Sequence, residues 1–426
     1  MSVHAGSIIH TGARNVLDRI QSAGLGDVRL NMETIREVGN REVVDKIPGE
    51  PDFTFSMESF DTSTALEAML VGKVGTNPLA SGGAPGAADA NGTEYDWLDM
   101  VGRCINIASP WKNPATGSAG NVIAGHLIPG YYPNRIRYRF GVTDNATQEV
   151  ELAGGAFYYG EHAPTEDFFT GDGSNDDFAT TDPAIRYRRG GAGGTTFRSV
   201  FGVLVDGTLQ VEGVDYDVSG GSADPGSTAT VTFKAGHIPA NGARVQFCYF
   251  TSAAKAYPQT VHASALVLPG AVRGRNIHVF IDARDGNGFQ RVGNVQSAEL
   301  EGTVDGGENE RELGTEDATG RVVNGTDCNG SLTVRSRDAD RFFDMLSKVT
   351  GLARDEIVGW FNENLVGLQI RIENPKQPGT IIKTLQVKDA KFQPPGTPAR
   401  VNTATDFVFN FESNTGTFQA VKGTPS

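Results

Sequence analysis

Residues 53–70 read Phe-Thr-Phe-Ser-Met-Glu-Ser-Phe-Asp-Thr-Ser-Thr-Ala-Leu-Glu-Ala-Met-Leu. Phe53, Phe55 and Met57 alternate with Thr54 and Ser56, the period of a half-buried strand, and Leu66, Met69 and Leu70 then form a helical stripe. The same order returns far downstream: Leu332 and Val334 alternate, and Phe342, Phe343 and Leu346 follow. In both copies the last strand apolar and the helix apolar stand 12 positions apart, 57 to 69 and 334 to 346. Two such stretches in one chain point to an internal duplication, which is a statement about the whole fold.

The match runs outward from both stretches. Trp97 precedes Gly102, Ile105 and Ile107, and Trp360 precedes Gly367, Ile370 and Ile372, with identical spacing from the glycine onward. Longer alternating segments come next. Ile136, Tyr138, Phe140 and Val142 with Val150 and Leu152 stand against Leu385 and Val387 with Phe407, Phe409 and Phe411. Upstream, the alternation over 28–32 is set against 298–304. The first helix carries start and stop signals: caps within 61–64, a capping box from Thr64 to Glu67, and Gly72 and Gly75 beyond its end. In the second copy Ser336 is the candidate cap, Asp338 and Asp340 sit where the helix dipole favours acids, and Gly351 follows.

The chain has 426 residues, 38% hydrophobic and 21% charged, with 54 glycines and 20 prolines, which suits a mainly β protein of two or three units rich in turns. Between the copies lies a stretch of other character. Val203, Val205, Asp206-Gly207, Leu209 and Val211 give a hairpin signal, and Tyr216/Val218, Val231/Phe233 and Val245/Phe247/Tyr249 give further strands. The expected organisation is therefore a first module with an N-terminal arm over 1–165, a small inserted all-β domain over 166–251, and a linker with a second module over 252–426. Each module is expected to be an antiparallel β-sandwich or barrel carrying one amphipathic helix. The copies differ in their loops: 76–93 is rich in Gly, Ala and Pro, and 303–327 is strongly acidic. Long loops of either kind bind something or are simply solvated, and both readings stay open.

Formal net charge is −14, and no run of Lys or Arg stands out, so a phosphate-gripping surface is not expected. An acidic wall to which DNA does not adhere remains open. Cys104, Cys248 and Cys328 lie far apart with no C-x-x-C pair, which reads as free thiols in packed positions. The first 15 residues lack the apolar core of a signal peptide, and no 18-residue apolar run occurs, so a chain left in a cytoplasm is expected.

Chemistry-bearing patterns are weak throughout. The seven histidines are scattered, with no H-E-x-x-H. Residues 172–176 begin like a calcium loop, but Asp177 stands where glycine is required and Pro183 where glutamate is required. Residues 282–288 fail the same spacing. The glycines of 190–194 lack the Lys-Ser/Thr of a phosphate loop, and no G-x-S-x-G occurs. Nothing marks an enzyme, a cofactor or a metal.

A strand of alternating apolars, an amphipathic helix ending in Met-Leu (Ala65-Leu-Glu-Ala-Met-Leu70, Arg341-Phe-Phe-Asp-Met-Leu346), and long antiparallel strands after it resemble the tail tube proteins of tailed bacteriophages, of the siphophage type. The likeness covers about 28–160 and 270–426 and is one of pattern. It implies the fold shared with the tubes of contractile injection systems, in which each module adds a curved sheet to a ring and six modules close an inner barrel. A duplicated chain would then need three copies, a pseudo-hexameric trimer. Stacked rings would conduct DNA without binding it specifically. The partners implied are further copies of the chain and the terminator, tape measure and distal tail proteins; no membrane is involved, and the location is the virion tail after assembly in the host cytoplasm. The resemblance makes the polar positions Glu33, Glu58, Glu149, Glu151, Glu299 and Glu301 candidates to face the lumen, with Arg135, Arg137 and Arg139 interrupting an otherwise acidic wall. It also places the arm and the loops 76–93 and 303–327 against the adjacent ring. The insert, with V-L-V-D-G-x-L-Q-x-x-G-x-D-Y over 203–216, resembles small β modules of phage tail and fibre proteins. Two other readings compete: a baseplate hub or distal tail adaptor, which uses duplicated modules in a single ring, and a glycan-binding tail protein.

Overall fold

The computed structural model describes residues 10–11, 15–16, 20–25, 32–35, 45–48, 53–71, 91–112, 122–188, 197–223, 226–253, 272–282, 284, 286, 288–310, 320–335, 343, 347, 353, 365–393 and 406–425. The protein is mainly β, built of antiparallel sheets with two short helices among the described residues. Ten strands carry the body. In the first copy they are β1 (Ile20–Leu25), β2 (Phe53–Ser59), β3 (Ile105–Lys112), β4 (Val122–Gly141) and β5 (Thr147–Gly154). In the second they are β6 (Val295–Asp305), β7 (Gly325–Arg335), β8 (Val366–Glu373), β9 (Ile381–Phe392) and β10 (Asp406–Ser413).

The duplication is written in the pairing. The first copy runs β1-β2-β5-β4-β3 across the sheet, and the second runs β6-β7-β10-β9-β8, with every pair antiparallel. Each copy also lifts a two-stranded ribbon out between its first and second strands: Met32–Ile35 with Asp45–Pro48, and Glu308–Glu310 with Gly320–Val322. The two sheets are joined edge to edge, because β4 pairs with β6 from Gly141 opposite Ser297 to Arg135 opposite Thr303.

This topology corrects the upstream alignment. The counterpart of β6 in the first copy is β1, not 28–32, and the strand that starts at Met32 belongs to the ribbon. β1 reads Ile-Gln-Ser-Ala-Gly-Leu, whose small and polar residues give no clean alternation. Its place is fixed from outside, by the register that sets Ala23 beside Met57 and Leu25 beside Phe55.

One face of the joined sheet is packed. Met57, Val150 and Ile136 lie side by side across β2, β5 and β4, and the row continues through Gly302 on β6 to Cys328 on β7. These belong to one apolar cluster that runs through both copies, from Phe55 to Ala420. α1 (Ala65–Leu70) covers it in the first copy with Leu66, Met69 and Leu70, each at most 1% exposed. In the second copy Phe343 is helical and half-buried, with its ring 5.9 Å from Phe409 and 6.4 Å from Phe407. Phe342 and Leu346 lie outside the described residues.

The expected capping box on α1 does not form: Thr64 makes no side-chain cap. The turn is held one step earlier, where Asp61 Oδ1 accepts from the Ser63 N–H at 3.0 Å and Ser63 Oγ accepts from the Ala65 N–H at 3.3 Å. Glu67 is freed for another task. α2 (Trp97–Val101), unforeseen in the sequence, is capped by Asp96, which accepts the Leu98 N–H at 3.0 Å.

The copies are also stitched through the C-terminus. Strand Gln419–Lys422 pairs with β9 on one side and with Glu94–Asp96 of the first copy on the other. Just before it, Phe418 stacks on Trp97 at 5.9 Å and meets Tyr138 edge-on at 5.8 Å. A Cβ on Gly302 would come 2.7 Å from Phe418 and 3.0 Å from Trp97, which explains the lack of a side chain there.

The insert begins at Ala163, whose strand Ala163–Thr170 pairs along its length with Arg244–Thr251. Its four-stranded and three-stranded sheets enclose their own core of Phe178, Val203, Val231, Phe233, Val245 and Phe247 among others. The Asp206-Gly207 turn has φ of 51° and 81°, the doubly left-handed geometry of a tight hairpin. The domain is seated on β3 and β4: Asn106 Nδ2 donates to the Gly202 carbonyl at 2.8 Å, its Oδ1 accepts the Gly130 N–H at 3.0 Å, and the Cys104 N–H donates to the Gly207 carbonyl at 2.9 Å. Gly202 has φ +56°, and an added Cβ would lie 2.7 Å from Pro129. Gly202→Ala is therefore expected to cost about 1–3 kcal/mol in chemical denaturation and to raise protease sensitivity at this seam. Cys104, Cys248 and Cys328 are buried and free, and burial pushes the Cys104 thiol up to about 12.

Candidate functional site: the charged face of the joined sheet

The second face of the sheet is lined with charge. Side chains alternate across a strand, so residues directly opposite one another share a face. One row crosses both copies: Ser22, Glu58, Glu149, Arg137, Glu301, Asn329, Glu412 and Lys391, each opposite the next. Beside it run Gly24, Ser56, Glu151, Arg135, Thr303 and Asp327, and on the other flank Thr147, Arg139, Glu299, Ser331 and Asn410.

The joint between copies organises these charges. β4 carries Arg135, Arg137 and Arg139, and it lies between β5 with Glu149 and Glu151 and β6 with Glu299 and Glu301. Arg135 reaches Glu149 at 2.8 Å, Glu151 at 3.6 Å and Glu301 at 3.8 Å. Arg137 bonds Glu299 and lies 3.6 Å from Glu301, and Arg139 lies 3.4 Å from Glu149. The hydrogen bond to Glu299 raises the Arg137 guanidinium further above its already high range, which locks it in the charged form. The network reaches the second ribbon, because Asn134 donates to Glu151 at 2.8 Å and accepts from Arg321 at 2.7 Å.

Of the six acidic positions singled out in the sequence, Glu58, Glu149, Glu151, Glu299 and Glu301 share this face. Glu33 does not, since its backbone lies in the first ribbon opposite Ile47, and its side chain is outside the described residues. The arginines do more than interrupt an acidic wall: they are interleaved with it. All of the paired side chains in this cluster keep between 19% and 48% of their surface exposed, so each pair contributes little and the network as a whole more. Replacing Arg135 and Arg137 together by alanine is expected to cost about 1–2 kcal/mol at low salt. The loss should shrink as added salt screens the glutamates left behind, which urea titrations at two ionic strengths would measure.

A second polar group, unforeseen in the sequence, lies in the packed layer. Glu67 of α1 and Lys383 of β9 are fully buried and form an ion pair. Tyr138 donates to Glu67 Oε1, Lys383 donates to Gln148 Oε1 at 3.0 Å and to the Ser63 carbonyl at 3.2 Å, and its ammonium lies 4.7 Å over the Tyr138 ring. Burial first, and Glu67 second, hold the Tyr138 hydroxyl far above its usual range. The clue available was Lys383 itself, a charge inside the alternating apolar run Leu385 and Val387.

Among the described residues no group of three His, Cys, Asp or Glu side chains gathers as a metal centre, and no helix is long and apolar enough to cross a membrane. The chain matches no family model and no curated relative.

Proposed function

We propose that the chain is a structural protein that closes with copies of itself into a ring and that these rings stack into the tail tube of a tailed bacteriophage. Three chains would supply six sheet modules, and the charged face would line the passage for DNA. The observation that carries this reading is the β4–β6 joint: one five-stranded module already adds to another, edge to edge, with a continuous polar face on one side and a continuous core on the other. A chain that joins two modules this way carries at its ends the strands to join further modules. β1 pairs with β2 as β6 pairs with β7, so the second edge of β1 corresponds by topology to the β6 edge that meets β4. Cyclic closure removes such edges.

The joint between chains would not copy the joint within. Where β4 offers Arg135–Gly141 to its neighbour, the second copy reads Pro394-Pro-Gly-Thr-Pro398 after β9. Proline has no N–H to give to a ladder. Rings should therefore come apart into intact chains before the two copies within a chain separate. The three rows, with six glutamates and Asp327 set against three arginines and Lys391, are mildly acidic, which gives phosphate little to hold.

Negative-stain microscopy with sedimentation of the purified chain tests the reading. Rings of three chains with nearly sixfold walls, stacking at high concentration, are the expected result. Single rings that never stack would favour a hub or adaptor, and a monomer under all conditions would overturn the proposal.

A further inference from the structure

Building on the ring reading above, we propose that the strand Tyr158–Gly160 is the docking edge for a second copy of this chain, and that its occupant is the neighbour's segment 357–360.

A contact within the chain is the pattern for this one. In the second copy the strand Gln419–Lys422 follows β10 and pairs with the first half of β9, at 383–386. Its other edge is taken by Glu94–Asp96 of the first copy, with Gln419 opposite Asp96, Ala420 opposite Tyr95 and Val421 opposite Glu94. Backbone bonds run past both ends of this pairing: the Trp97 N–H donates to the Phe418 carbonyl at 3.0 Å, and the Gly92 N–H to the Lys422 carbonyl at 2.7 Å. The stacked Trp97 and Phe418 rings seal one end. Under this cover Ala420 is 0% exposed and Phe418 1%.

The first copy carries the counterpart strand with its side chains uncovered. Tyr158–Gly160 follows β5 and pairs with the first half of β4, at 125–127. Counted from the phenylalanine that precedes each strand, Phe157 corresponds to Phe418 and Tyr159 to Ala420. Tyr159 nevertheless keeps 49% of its surface exposed, and Phe157 is half-buried. Their rings flank His126, 4.8 Å from Phe157 and 5.6 Å from Tyr159, which makes a continuous aromatic surface. Exposed apolar surface at a position that its own counterpart keeps covered marks an interface.

The duplication names the occupant. Glu94–Asp96 is engaged with the second copy, so the strand for Tyr158–Gly160 comes from the counterpart of 94–97, which is Ile-Val-Gly-Trp at 357–360. Those residues lie outside the described ones and are assigned by sequence, since Trp97 and Trp360 stand before the matched glycine and isoleucines. The register of the internal contact sets Val358 opposite Tyr159, a β-branched residue against an aromatic, and Trp360 beside Phe157. Direction agrees as well. Within the chain, β4 and Glu94–Asp96 of the first copy both reach the second copy. Between chains, the segment after β9 and residues 357–360 of a second copy both reach the first copy of one and the same neighbour.

Microscopy and sedimentation of the wild-type chain first show whether rings form. Tyr159→Asp places a charge in the contact at a residue half-exposed in the single chain. It should leave the Tm of the unassembled chain unchanged and raise the concentration needed for rings on the order of tenfold. In a Tyr159→Cys/Val358→Cys chain, mild oxidation of assembled rings should give covalent trimers on a non-reducing gel, whereas either single cysteine should leave monomers. Rings that form as readily in Tyr159→Asp as in the wild type, or oxidised rings of the cysteine pair that run as monomers, would each overturn the contact and leave the ring reading standing. A wild-type chain that never forms rings would overturn both.

Discussion

Lys383→Met is expected to cost about 3–5 kcal/mol of folding stability, read from urea or guanidinium denaturation, because it leaves Glu67 as an unpaired charge in the packed layer. Both side chains are 0% exposed, so water cannot replace the lost partner. The substitution also strips the donors from Gln148 Oε1 and the Ser63 carbonyl. Glu67→Met alone should be comparably harmful, leaving a buried ammonium and removing the acceptor of the Tyr138 hydroxyl. The double variant Glu67→Met/Lys383→Met is the informative one. Buried ion pairs seldom exceed a well-packed apolar pair in net stability, so the double change should recover most of the loss, with Tyr138→Phe removing the remaining orphan hydroxyl. A double variant no more stable than either single would mean that the pair is net stabilising over an apolar replacement, and one as unstable as the sum of the singles would mean that the two side chains are not coupled. The pair spans the copies, since Glu67 comes from the first helix and Lys383 from the second module.

How much of this was legible in the sequence follows from the physics of each element. The β2–α1 stretch was readable because it buries one face, as β7 does in the second copy with Leu332 and Val334, and a buried face imposes a period. The same logic found Glu149, Glu151, Glu299 and Glu301, which alternate with Val150, Leu152, Leu300 and other core residues. β1 was not readable, because a strand held by its neighbour's register needs no pattern of its own. The interleaving of arginine and glutamate was not readable either: positions 137 and 299 are 162 residues apart, and only the topology of the joint makes them neighbours. The capping box failed for a related reason. Thr64 and Glu67 have the right spacing, but a buried lysine and tyrosine elsewhere in the chain claim the glutamate, and tertiary demand overrides a local cap.

Leu66→Asp is expected to be the most damaging single change in the body. Leu66 is 1% exposed on α1, within the cluster that runs through both copies, and aspartate there loses the leucine packing and buries a charge with no partner. Truncation to alanine should cost about 2–5 kcal/mol, and the charge should add several more, enough to unfold a protein of ordinary stability. Phe343→Asp in the second copy should be milder, because Phe343 is only half-buried against Phe407 and Phe409. The pattern of unfolding is the sharper test. If the copies were independent units, Leu66→Asp would melt the first and leave the second folded, giving two transitions by calorimetry. The shared core, the Glu67–Lys383 pair, and the strand Gln419–Lys422 held between β9 and Glu94–Asp96 argue otherwise. The body should lose both copies in one cooperative transition, while the insert, with its own core, can persist. Two separable body transitions would show that the duplicated sheets are joined at their edges without sharing a core.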